Sequence, residues 1–259
     1  MRISARLLWV TPLLLPSFAS GSINVTTFEE DIIPTYKSIS AAYGAAIADE
    51  LVEKGMMDAD EASGRGSSTY IELWKQSWLD DREMWCVQVY FRPNDYTETQ
   101  LTTLQKGIRK FQKMSGVVKF TFLDDLPTDG TPFLHVGAFG TDRCSSYVGV
   151  DKSAYTADGQ FLFLGPSCLG LGQIHHELMH ALGFFHEHSR PDRDTYVTVN
   201  SQWIEEGEQI NFQIASNIDS LGVAYDYKSV MHYGEFQYTS DPTQKTIDAK
   251  GKAGKCYAI

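Results

Sequence analysis

His176-Glu177-Leu178-Met179-His180-Ala181-Leu182-Gly183-Phe184-Phe185-His186 decides how the rest of the chain is read. His176 and His180 stand four residues apart. On a helix that spacing sets both imidazoles on one face, a turn apart, able to grip one metal ion. Ile174, Leu178, Ala181, Leu182 and Phe185 are the apolar positions that would hold this helix against a core. Glu177 follows the first histidine, so its carboxylate projects near the metal without binding it. A third ligand six residues beyond His180 cannot share that face. The helix must stop and the chain must turn back at Gly183, the residue type that accepts a left-handed conformation without strain. His186 is then delivered as the third ligand.

Three neutral imidazoles suit one Zn2+ and leave a coordination position for water. Zinc lowers the pKa of such a water toward about 7. Glu177 is placed to take its proton and pass it to a leaving amine. The pattern implies metal-assisted amide hydrolysis without a covalent intermediate. A solvated, histidine-rich helix is the competing reading, since five of the seven histidines fall between 175 and 188. That reading requires neither Gly183 nor Glu177. His175 and His188 fit no ligand register and are read as surface or supporting residues.

Outside the motif, the 259-residue length allows one packed domain with a smaller attached region. The formal net charge of −11 argues against nucleic acid or an anionic membrane surface as partner. Arg2 and Arg6, the apolar Leu7, Leu8, Trp9, Val10 and Leu13 to Leu15, and small residues at Ala19 to Gly21 read as an export signal over residues 1–21. No segment has the roughly 18 continuous apolar residues of a membrane span. A secreted protein is therefore expected, with Asn24-Val25-Thr26 as a glycosylation sequon.

Export permits disulfides, and Cys86, Cys144, Cys168 and Cys256 allow three pairings. Residues 22–78 read as a pro-segment, with its boundary between 65 and 83. They hold an amphipathic stretch from Ile39 to Met57 and the exposed run Ala62-Ser63-Gly64-Arg65-Gly66-Ser67-Ser68, which invites nicking.

Strands are predicted at 85–91, 117–122, 133–136 and 161–164. Thr97 with Gln100 forms a capping-box pattern before a helix whose Leu101, Leu104, Ile108 and Phe111 share a face. The metal helix starts near Gly172. Beyond Arg190 the periodicity weakens, and aromatic and turn residues dominate.

His186 is followed at once by Glu187-His188-Ser189-Arg190-Pro191-Asp192-Arg193-Asp194-Thr195-Tyr196-Val197, and farther on stands Asp226-Tyr227-Lys228-Ser229-Val230-Met231-His232-Tyr233. These stretches resemble the extended zinc motif and the Met-turn of the astacin family of metzincin metallopeptidases. The resemblance implies that Met231 forms an apolar floor beneath the metal. It implies that Tyr233 is an additional resting-state zinc ligand whose phenol later hydrogen-bonds the tetrahedral oxyanion, and that Glu187 receives the new N-terminus once the pro-segment is removed. His232 carries no assigned role. Cys144-Ser145-Ser146-Tyr147-Val148-Gly149 and Cys168 match the family's short disulfide loop. The cysteine that opens the family's other bridge is absent from Val117-Val118-Lys119-Phe120, which leaves two readings: Cys86 and Cys256 form a substitute pair, or one of them is unpaired. Phe28-Glu29-Glu30-Asp31-Ile32 resembles the inhibitory Phe-x-Gly-Asp motif of astacin pro-segments, with Asp31 as metal ligand in the latent form and Glu30 in place of the glycine.

The implied fold is α+β: a two-lobed metzincin-type domain over residues 79–259, with a mixed-sheet N-lobe carrying the zinc helix and a largely irregular C-lobe. The implied partner is an extended peptide or protein substrate, paired with an edge strand of the upper lobe. The chain ends at Ile259, soon after Tyr233, so the domain reads as truncated at its C-terminus. The alternative function is a secreted zinc-binding protein made inactive by that truncation.

Overall fold

The capping box at Thr97 starts the longer helix of the computed structural model, which describes residue 74 and residues 76–79, 82–151, 157–215, 218, 220 and 223–251. The Gln100 amide donates to Thr97 Oγ1 (3.3 Å) and the Thr97 amide donates to Gln100 Oε1 (2.9 Å). Helix α1 then runs Glu98–Ser115 and stops at Gly116, whose φ of 69° is left-handed. Its buried stripe is Leu104, Gly107, Ile108 and Phe111. Each fully buried large side chain of that stripe contributes about 1.5–3 kcal/mol relative to exposure.

The sheet beside it holds β1 (Gln76–Leu79), β2 (Arg82–Phe91), β3 (Val118–Leu123), β4 (Phe133–Gly137), β5 (Cys144–Ser146) and β6 (Gln160–Leu164). β2, β3, β4 and β6 are mutually parallel, whereas β1 pairs antiparallel with β2 and β5 with β6. Both β3 and β4 pair with Gln88–Tyr90, so they flank β2 on opposite edges. β5 is the terminal strand beyond β6. The sheet is mixed, as expected. β1 and β5 are additions to the predicted strands; at four and three residues they are too short to show an alternation.

Helix α2 (Leu171–Ala181) carries the histidine motif. Ile174 fills a notch left by Gly107 on α1: a Cβ on Gly107 would lie 2.9 Å from Ile174 Cδ1. Beside it, His175 Nε2 donates to the Gly107 carbonyl (3.1 Å), with its ring edge-on to Phe111. Burial holds His175 below the ordinary histidine pKa. His175 is therefore the supporting residue of the two readings, a buried pin between the two helices. Trp74 also belongs to this core, and its indole N–H donates to the Ala181 carbonyl at 2.8 Å.

The described residues up to Phe184 form one compact unit and those from Phe185 onward a second. The second unit has a two-stranded antiparallel sheet, β7 (Val197–Val199) with β8 (Ile247–Ala249), and four short 3-10 turns. Its core gathers Val197, Ile204, Phe212, Tyr225, Tyr233 and Ile247. The Arg193 guanidinium ties loops together by donating to the carbonyls of His188 (3.1 Å) and Phe212 (2.6 Å). This is the largely irregular C-terminal region the sequence led us to expect.

Cys144 at the start of β5 is bridged to Cys168, just before α2. Cys86 is half-buried on β2. Cys256, and with it the expected Cys86–Cys256 pairing, lies outside the described residues, as do residues 1–21 and most of the pro-segment with Asp31. Serine at both Cys144 and Cys168 should lower the unfolding free energy by about 3 kcal/mol, the loop-closure value for a loop of this size. Denaturant unfolding checks this, and an unchanged midpoint would show that the bridge does not form.

Candidate metal centre

α2 ends in a hydrogen-bond pattern that its sequence dictates. Gly183 takes φ 99°, left-handed as expected. Its amide donates to the His180 carbonyl (2.8 Å), and the Phe184 amide reaches back to the Met179 carbonyl (3.0 Å). This is the paired closure of a Schellman motif, which satisfies the last helical carbonyls and reverses the chain. The reversal carries the Phe184 carbonyl to 2.8 Å from His180 Nδ1. That nitrogen must donate, so the lone pair of His180 sits on Nε2. Nε2 of His176 faces it at 3.0 Å. Two imidazole nitrogens so placed need a shared proton or a shared cation. Two ligands on one tetrahedral zinc stand about 3.3 Å apart, given zinc–nitrogen bonds near 2 Å.

His186 follows in extended backbone, φ −65° and ψ 142°, at the mouth of a 3-10 turn. The ligand atoms of His176, His180 and His186 all lie within 4.8 Å of one another, and all three residues are buried. Three neutral imidazoles, a pinned tautomer and a shielded position fit a zinc ion. Glu177 is 1% exposed on the same helix, one residue from the first imidazole.

In the second unit a turn built on Asp226 presents Met231 and Tyr233. Asp226 Oδ1 accepts from the Lys228 amide (2.9 Å), its carbonyl accepts from Ser229 N–H (3.0 Å), and Ser229 Oγ accepts from the Met231 amide (3.1 Å). The Met231 carbonyl accepts the Glu187 amide at 2.7 Å. Glu187 Oε1 accepts from Arg190 Nη1 (2.9 Å) and from the Asp226 amide (2.8 Å), and burial pushes this carboxyl above the usual range. The turn is thus fastened to the residue after the third histidine at two points. The Tyr233 ring lies 4.8 Å from the His186 ring.

Of the two readings the sequence left for His188, surface or supporting, the structure selects the second: it is 0% exposed, and burial followed by the neighbouring His186 holds it well below the ordinary pKa. His232, to which the sequence assigned nothing, is 1% exposed and hydrogen-bonded through both nitrogens. Residue type alone gave no signal for either.

Residues 77–256 match the sequence profile of the peptidase family described as Astacin. The chain belongs to the astacin family. Among its relatives, Zinc metalloproteinase nas-14 of Caenorhabditis elegans is 37% identical over 174 residues, 66% of this chain and 33% of that protein. Tolloid-like protein 2 of Mus musculus is 36% identical over 160 residues, 61% of this chain and 15% of that protein. The chain therefore spans a third or less of either relative. The solved structure of High choriolytic enzyme 1, a hatching enzyme zinc-protease from Oryzias latipes, matches with a TM-score of 0.61 at 26% identity, covering 72% of this chain and 86% of that one. The fold is accordingly the α+β astacin fold of the metzincins, and one zinc ion is the cofactor that goes with it.

In this astacin, Gly183 does two jobs: it turns the chain toward His186 and it brings the carbonyl that orients His180. Alanine there would cost about 1–2 kcal/mol of backbone strain. Disturbing that orienting bond should weaken zinc binding about tenfold or more. Competition with a chelator measures this. Wild-type affinity in Gly183→Ala would mean that the turn is not what organises the ligands.

Proposed function

We propose that this chain is a secreted zinc-dependent endopeptidase that cleaves extended protein or peptide substrates with a water activated by Glu177. The observation that carries the reading is the convergence of three buried imidazoles, two of them on the helix that also carries the buried Glu177. The zinc ligands are His176, His180 and His186. Bound zinc supplies Lewis acidity, lowering the pKa of a water and polarising the scissile carbonyl.

Glu177 takes the proton from the attacking water and returns it to the leaving amine. Its burial keeps bulk water from competing for that proton. The Tyr233 phenol donates to the oxyanion that develops on the scissile carbonyl; in the resting protein it is an additional metal ligand. Met231 lies beneath the site, and Glu187 receives the mature N-terminus. β5, the terminal strand of the sheet, is the edge to which an extended substrate adds.

Export and latency belong to the same proposal. Residues 1–21 have the charge and apolar pattern of a signal peptide, and among the described residues no helix is long and apolar enough to cross a membrane. The expected processing boundary at 78/79 falls inside β1, and Trp74 is built into the core. We place the activating cut before Trp74, in or after the Gly64–Ser68 run. Asp31 holds the metal in the latent form.

Glu177→Gln should keep zinc and lose peptidase activity by about 10²-fold or more, because the amide cannot accept the proton. Purified protein, a broad protein substrate and metal analysis suffice; near-normal turnover would remove Glu177 as the base. The precursor carrying Asp31→Ala should cleave substrate before any processing, while the unmodified precursor stays silent. Equal silence of the two precursors would take Asp31 out of the latency mechanism.

A further inference from the structure

Tyr233 lies outside the strands and helices, yet both of its peptide groups are held by side chains. Its amide donates to His188 Nδ1 at 3.4 Å, and its carbonyl accepts from His232 Nδ1 at 2.6 Å. Each imidazole is anchored on its far side. His188 Nε2 donates to the Asn211 carbonyl at 2.9 Å, and His232 Nε2 accepts from the Tyr225 hydroxyl at 2.6 Å. These partners dictate opposite tautomers: His188 carries its proton on Nε2 and His232 on Nδ1. The His188 ring also stacks on the Tyr233 ring, with centroids 3.9 Å apart and planes 27° from parallel.

We infer that His188 and His232 are positioning residues that clamp the main chain of Tyr233 from both sides and so set where its phenol can act. Leucine or phenylalanine would fill these buried volumes without the desolvation that an imidazole suffers on burial. What only a neutral imidazole offers here is a donor and an acceptor in one rigid ring. The pair uses that property to lock the residue on which the aromatic arm pivots. The clamp acts on the main chain from which the phenol extends. Placement within about 0.5 Å is what an oxyanion donor needs.

This inference rests on the proposed role of the Tyr233 phenol, so the test separates the two. His232→Leu should lower kcat about tenfold, the effect of misplacing one hydrogen bond, with KM and zinc content unchanged. His232→Asn, whose amide N–H can replace Nδ1, should recover most of that loss. In a Tyr233→Phe background, His232→Leu should cause no further loss, because the clamp acts only through the phenol. Should His232→Leu fail to fold, Tyr225→Phe removes a single anchoring oxygen and should show the same pattern more weakly.

An equal loss with and without the phenol would make the histidines mere packing, and so would undiminished kcat in His232→Leu beside a slow Tyr233→Phe protein. Full activity of Tyr233→Phe would instead remove the phenol from the chemistry, and the clamp's function with it.

Discussion

Three imidazoles must converge on one point, but a helix face supplies only two. The site depends on how the chain solves that shortage. α2 is closed by the Gly183 and Phe184 amides, and the closure turns the chain within two residues. The same turn returns the Phe184 carbonyl to His180. One backbone reversal therefore satisfies the helix end, selects a tautomer and directs the third histidine of the candidate centre. A residue other than glycine at φ 99° would work against all three at once.

The second unit is held together differently. It has little regular secondary structure, so side chains join backbone turns in satisfying its main-chain groups. Arg193 serves two carbonyls, Glu187 an amide, and His188 and His232 the two sides of Tyr233. Buried polar groups in irregular backbone need such partners. This explains why the segment after the zinc motif is dense in arginine, histidine and acidic residues, although much of it is buried.

The metal motif was legible because helical spacing and a glycine stop are local properties, written in eleven consecutive residues. α1 was legible for the same reason, its cap and apolar stripe lying within one segment. β1, β5, β7 and β8 were not, because strands of three or four residues exist only through their partners. The burial of His175 and His188 was left undecided, and His232 without a role, for a related reason. Their placement is set by carbonyls, amides and a hydroxyl that belong to other segments, such as Gly107 for His175 and Asn211 for His188. Trp74 escaped notice likewise; a lone tryptophan before the first strand does not reveal that its N–H will find Ala181.

That indole bond has a consequence for the order of assembly. Donor and acceptor are 107 residues apart in the chain. Such a closure carries a loop entropy that local helix formation does not. Trp74 precedes every strand of the sheet in the chain, whereas the histidine helix follows β6. A fragment beginning after the first strands would still contain every histidine of the motif, but not the surface on which the last turn of their helix is set.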